Sequence, residues 1–219
     1  MKALKHLIQH LILSVLLLSG CTKSTFVNDL TNNLLPEYSE AGRNVAGALI
    51  NDTAWRCEMH TCFACVPWRF YMNSNLTGDS ISFIFNGLYT SNSVNFIDTS
   101  AYNVPINLYV VIRGLKIENQ DSLLKLNNKT FLLDSTNSYS SLSRFYQSPN
   151  NKGFGSFIVN KVQKGNWDFG DGSPNNPKIY SLILSGHFNF TIHADRDYII
   201  KDGRFDMQVY LNTNFSINQ

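Results

Sequence analysis

From Val45 onward, apolar and polar residues alternate with a period of two, and turn-forming residues separate the runs. Ile81, Phe83 and Phe85 alternate with Ser82, Ile84 and Asn86, and Leu108, Val110 and Ile112 with Tyr109 and Val111. Such spacing sends successive side chains to opposite faces of a strand. Further strands are predicted at Thr130–Leu133, Gly155–Val162, Tyr180–Ile192 and Phe205–Leu211. Asn51-Asp52, between Ala46–Leu49 and Thr53–Cys57, predicts a tight hairpin, because Asn and Asp tolerate the left-handed backbone such a turn needs. The same chemistry predicts a second hairpin at Asp202-Gly203, between Tyr198–Ile200 and Phe205–Val209. No helical period is present beyond the first 20 residues, although Leu123–Leu126 fits one short turn. About eight to ten evenly spaced strands imply an all-β, antiparallel β-sandwich or barrel-like domain, and the pattern does not separate the two.

Residues ahead of Val45 follow other rules. Lys2 and Lys5 open an apolar, helix-compatible run, Leu7–Leu18, that is too short to span a membrane. It closes on Leu18-Ser19-Gly20-Cys21, and the whole segment resembles a bacterial lipoprotein signal. The resemblance implies that residues 1–20 are removed. Cys21 would then carry diacylglycerol and an N-acyl group such as palmitate, enough lipid for stable attachment. Thr22 stands where an inner-membrane retention signal would place Asp, which assigns the chain to the bacterial outer membrane with either face open. Residues 21–44, polar and containing Pro36 and Gly42, read as the lipidated cysteine and a flexible tether of roughly 25–30 Å. Residues 45–219 then form a single domain.

Composition narrows the partners. A chain that is 43% hydrophobic, 13% aromatic and only 16% charged has ample material for a core. Without Lys2 and Lys5, basic and acidic residues are equal in number, so no basic face is expected for nucleic acid. The expected partners are the membrane, through the lipid anchor, and an envelope protein or glycan; no cofactor is implied.

Two stretches carry family resemblances. Leu35-Pro36, Gly42, Asn44, Gly47-Ala48-Leu49-Ile50-Asn51 and Trp55 resemble the opening of an uncharacterised family of all-β Bacteroidota lipoproteins. Gly155–Val162, Ser185-Gly186-His187-Phe188-Asn189-Phe190 and Asp202-Gly203-Arg204-Phe205-Asp206 resemble its C-terminal half, while residues 57–150 match poorly. The family implies an all-β lipoprotein without an assigned activity. Trp167-Asp168-Phe169-Gly170-Asp171-Gly172-Ser173 resembles the signature of the immunoglobulin-like polycystic-kidney-disease module, over some thirty residues only. An ordinary Asp-Gly turn explains the same residues.

Cys57, His60, Cys62 and Cys65 form the densest chemistry in the chain. They read as a candidate metal set, a redox pair at Cys62 and Cys65, or a disulfide. The oxidising envelope favours a Cys57–Cys65 disulfide, contributing about 2–3 kcal/mol and leaving Cys62 over. His187 and His193 share a strand face about 20 Å apart and read as solvent-facing. Asp168 with Asp171, and Asp195 with Asp197, are candidate carboxylate pairs for a two-acid hydrolase by spacing, although both occur in turn-like sequence. Four Asp-Ser/Thr-apolar triplets resemble Bacteroidota O-glycosylation acceptors, and Ser122 and Ser135 fall in the expected loops. Trp68 and Phe70 are candidates for an aromatic binding face. Serine-hydrolase, zinc-protease and phosphate-loop motifs are absent from the sequence. The functional expectation is a non-enzymatic binding or structural module of the cell envelope. A lipocalin-like carrier of a small apolar ligand and a two-carboxylate hydrolase are the alternatives.

Overall fold

The computed structural model describes residues 24–58, 70–75, 79–89, 105–144, 151–169, 179–210 and 215–217. The described chain is all-β: β1 (Val45–Ile50), β2 (Thr53–Glu58), β3 (Phe70–Ser74), β4 (Ser80–Tyr89), β5 (Pro105–Arg113), β6 (Lys129–Asp134), β7 (Tyr139–Arg144), β8 (Gly153–Phe169), β9 (Ile179–His193), β10 (Asp197–Val209) and β11 (Phe215–Ile217), with a 3-10 turn at Gln120–Leu126. The ladders are antiparallel except β11 on β3. Following the pairs β4-β2-β1-β10-β9-β8-β7-β5 leads back to β4, so the hydrogen-bond network closes into a barrel-like ring of eight strands. Two links in that ring are thin. Among the described residues, only Trp55 and Arg56 of β2 meet β4, opposite Tyr89 and Leu88, and Ser140 alone joins β7 to β8, opposite Gly153. β6 pairs with β8 beside the ring.

Local chemistry explains the first hairpin. Asn51 and Asp52 both hold left-handed backbone (φ 48° and 64°), the two-residue turn whose twist matches the flanking strands. The second expected hairpin is absent. Tyr198–Ile200 and Phe205–Val209 belong to one strand, β10, and Asp202 (φ 52°) sits in a bulge within it. Ile200 lies opposite Phe190 and Gly203 opposite Phe188, so β10 carries one extra residue there. Buried positions switch from Tyr198 and Ile200 to Gly203, Phe205, Met207 and Val209, which keeps the same face on the core across the bulge. A second bulge, between Val159 and Lys161 of β8, does the same for Val159 and Val162.

Phenylalanines fill the interior. Phe83, Phe85, Phe157, Phe188 and Phe205 are each at most 1% exposed, and Phe157 stacks on Phe205 with centroids 5.2 Å apart and planes 5° from parallel. Burying one such ring contributes about 1.5–3 kcal/mol before pair terms. Two glycines make room for them. Gly186 lies opposite Phe205 and Gly203 opposite Phe188, and a Cβ at either would overlap the facing ring and the neighbouring backbone. Trp55, fully buried, packs on Gly87 and donates Nε1–H to the Ile106 carbonyl at 2.8 Å. Phe70, a candidate for an aromatic binding face, is a core residue against Phe85.

Residues 24–44 depart furthest from expectation. They are a docked strap rather than a tether. Leu35 is completely buried and Pro36 closes over Gly47 of β1. The strap itself folds back: Glu37 N–H donates to the Val27 carbonyl and Asp29 N–H to that of Leu35, forming a small hairpin with its tip at residues 30–33.

Candidate functional site

The strap lies on the outer face of β1, β10 and β9, and this seat holds the densest polar network among the described residues. Its latch is Asp206, on β10 and 2% exposed. That carboxylate accepts backbone N–H from Gly42 at 2.7 Å, Arg43 at 3.0 Å and Ala41 at 3.2 Å. Three N–H groups converge on one side chain because Gly42 (φ 74°) and Asn44 (φ 58°) turn the backbone through the left-handed region. Asn44 then accepts from Gln208 N–H through Oδ1, and its carbonyl accepts from the Ser24 hydroxyl. At the other end Arg204 forms an ion pair with Asp29. Asp29 also accepts from Thr31 and Asn32, and these bonds, Thr31's first, hold its carboxyl well below the usual range. Arg56 of β2 reaches the Leu34 carbonyl and lies over the Phe26 ring.

Beside the latch, Tyr38 stacks on His187 with centroids 4.4 Å apart. The Tyr38 hydroxyl donates to Glu40 at 3.0 Å and accepts from the buried Ser185 hydroxyl at 3.4 Å. Glu40 in turn pairs with Lys161 at 2.9 Å. Burial, reinforced by the Glu40 charge, pushes the Tyr38 phenol up to about 12, so it is neutral at physiological pH. The bonds from Lys161 and Tyr38 keep Glu40 ionised. Asn160, in the β8 bulge, presents Oδ1 3.0 Å from His187 Nδ1. An amide oxygen only accepts, so Nδ1 carries the proton and Nε2 offers a lone pair. Burial, then the nearby Arg204 charge, lowers the His187 pKa. The cluster is a neutral stacking and hydrogen-bonding site flanked by one ion pair.

That lowered pKa makes a prediction. The unfolded chain takes up the His187 proton more readily than the folded one. The site therefore contributes fully above the unfolded value, near 6.5, and loses its contribution as pH falls toward the lower folded value. The urea midpoint of the wild type is expected to fall between about pH 7.5 and 5.5, and to fall less in His187→Gln, which does not titrate. Equal falls in both proteins would refute this role.

The other expected sites are scattered. Cys57 is 1% exposed in the core, opposite Ala46. Cys21, His60, Cys62 and Cys65 lie outside the described residues, and with them the lipid site, the metal set and the Cys57–Cys65 disulfide. Trp68 and Asp171 lie outside as well. Ser122 does not occupy an exposed loop. It is 3% exposed in the 3-10 turn, where Asn119 Oδ1 accepts from its backbone and hydroxyl in a reciprocal cap, so the folded chain offers no room for a sugar there. Ser135 is half-buried in a tight turn (φ 63°) with its hydroxyl on the Asp134 carbonyl. His193 is exposed and pairs with Asp197 at 2.6 Å, while Asp195 accepts from Tyr198, so those two carboxylates have separate partners. Asp168 stands near the end of β8, opposite Tyr180. His187 is half-buried under Tyr38, where a solvent-facing residue was expected.

Sequence reading missed Asp206, Tyr38 and Glu40 because residues 21–44 looked like linker. The available signal was weak: Gly42 and Asn44, both tolerant of left-handed backbone, beside the apolar pair Leu34-Leu35. No protein family, curated protein or solved structure matches the chain.

Proposed function

We propose that this protein is a lipid-anchored domain of the bacterial outer membrane, acting as a non-enzymatic binding or structural module of the cell envelope. The observation that carries this reading is the order of elements at the N-terminus. A signal-like run ends at Leu18-Ser19-Gly20-Cys21, and three residues later Ser24 is already bonded to Asn44 in the latched strap. A carrier reading finds less support, because stacked phenylalanines occupy the barrel interior where an apolar ligand would sit. Exposed apolar residues on β6, β8 and β10 favour surface binding of an envelope protein or glycan: Leu132 is 77% exposed, Ile199 is exposed, and Phe154 packs at a tilt by the His193 ring of β9.

The test is the intact mass of the full chain expressed in a lipoprotein-processing bacterium. Cleavage before Cys21 plus the mass of a diacylglycerol and an N-acyl group is expected, with the protein in the outer-membrane fraction. Cys21→Ala is expected to lose that mass and the membrane association together. An unmodified Cys21 in the wild type would overturn the proposal.

A further inference from the structure

The strap hairpin has two sides of different character. Its inner side is anchored: Phe26 lies against Arg56, Leu35 is buried and Pro36 covers Gly47. On its outer side Val27 is 41% exposed, and Leu30, at the tip, is 100% exposed. A single exposed leucine is ordinary on a protein surface, but here it shares the hairpin with a second exposed aliphatic, Val27, next to the end of the chain that leads to Cys21. The charges of the hairpin are already compensated within the protein. Asp29 pairs with Arg204 and Glu37 with Arg43, so the other exposed residues of the hairpin, Thr25, Val27, Asn28, Leu30, Thr31 and Asn33, are uncharged.

Chain length says what covers this side. Cys21 precedes Ser24 by three residues, which even fully extended span only about 11 Å. Ser24 is hydrogen-bonded to the strap, so no slack is available beyond those three residues. A lipid on Cys21 therefore brings the beginning of the hairpin to the headgroups, and Thr25 and Val27 follow one and three residues after Ser24.

We infer that the strap hairpin lies flat on the bilayer surface, with Val27 and Leu30 dipping into the lipid interface as a second, non-covalent anchor. The inference rests on the lipid-anchor reading above and adds an orientation to it. The ring of strands is held side-on, with β2, β1 and β10, which carry the hairpin, toward the membrane. β6, which is paired to β8 beside the ring and lies four strand pairings from β1, then faces away, and so does Leu132. Aliphatic tips at a bilayer interface need no partner protein, since headgroups satisfy the surrounding polar atoms while the side chains reach the acyl boundary.

The experiment uses full-length, lipidated protein carrying the photoreactive residue p-benzoylphenylalanine in place of Val27, Leu30 or Leu132. Each protein is reconstituted in phosphatidylethanolamine–phosphatidylglycerol vesicles and irradiated. Phospholipid adducts are expected at positions 27 and 30, at least ten times more abundant than at 132. Folding is not at stake at Leu30, which touches nothing that its replacement would disturb. Lipidated protein without adducts at 27 and 30, or with equal adducts at all three sites, overturns the inference and leaves the anchor reading intact. Protein whose Cys21 carries no lipid overturns both.

Discussion

Replacing Gly186 by valine is expected to destabilise the fold by more than about 3 kcal/mol and to leave much of the chain unfolded at 37 °C. Valine is a better strand former than glycine, and on an ordinary strand position the change would stabilise by up to about 1 kcal/mol. The sign reverses here because of what stands over Gly186. A Cβ would collide with the Ile158 carbonyl of β8 and with the Phe205 ring opposite. Neither yields cheaply: one is backbone inside a ladder, the other is stacked on Phe157 and packed at a tilt against Phe85. Thr191→Val, on the outer face of the same strand, provides the control and is expected to stay within about 0.5 kcal/mol of wild type. Urea unfolding followed by far-ultraviolet circular dichroism measures both. Equal stability of Gly186→Val and wild type would mean that the Phe205–Phe157 stack is not packed as described.

Asp206→Ala carries the second large effect, a loss of about 3 kcal/mol. The substitution strands three backbone N–H groups, of Ala41, Gly42 and Arg43, that now share one buried carboxylate. Bonds to a charged acceptor contribute more than neutral ones, and the orphaned donors add a desolvation cost unless water enters. Release of the strap partly relieves that cost, and the relief has its own readout. Trypsin is expected to cut after Arg43 in the variant under conditions that leave the wild type whole. Asp206→Asn, which keeps one acceptor oxygen, is expected to show about half the destabilisation. Wild-type protease resistance in Asp206→Ala would place the strap's anchorage elsewhere, in the Arg204–Asp29 pair and the buried Leu35.

These two sites differ in how visible they were beforehand. The strands bearing Phe157, Phe188 and Phe205 announce themselves by alternation, because strand side chains repeat every two residues whatever their partners. Even the expected inward positions of β4 and β5, Ile81, Phe83, Phe85, Leu108, Val110 and Ile112, are the buried ones. That Gly186 faces Phe205 is a register fact and depends on which strands pair. Asp206 was less visible still. It follows Phe205 in an alternating run and looks like a solvent-facing polar residue until the strap is laid over it. Ser122 failed for the same reason. Its triplet sits among polar residues, yet its hydroxyl is consumed by a cap with Asn119 and its side by the core.

What the sequence alone determined is everything that local stereochemistry decides. The two-residue period produced the strands, and two residues tolerant of left-handed backbone, Asn51 and Asp52, produced the hairpin between β1 and β2. Asp202-Gly203 marks the boundary of that power. A tight hairpin needs left-handed residues and a β-bulge accepts one, so the dipeptide is compatible with either. The choice fell to packing: Ile200 and Phe205 both meet β9, and a bulge lets them do so without breaking the strand. Closure of the ladder through the thin β2–β4 and β7–β8 links was likewise decided only in three dimensions, as was the docking of residues 24–44. The strap depends on groups more than a hundred residues apart, Gly42 with Asp206 and Tyr38 with Ser185 among them, and the two links depend on which strands become neighbours, neither of which a local pattern encodes.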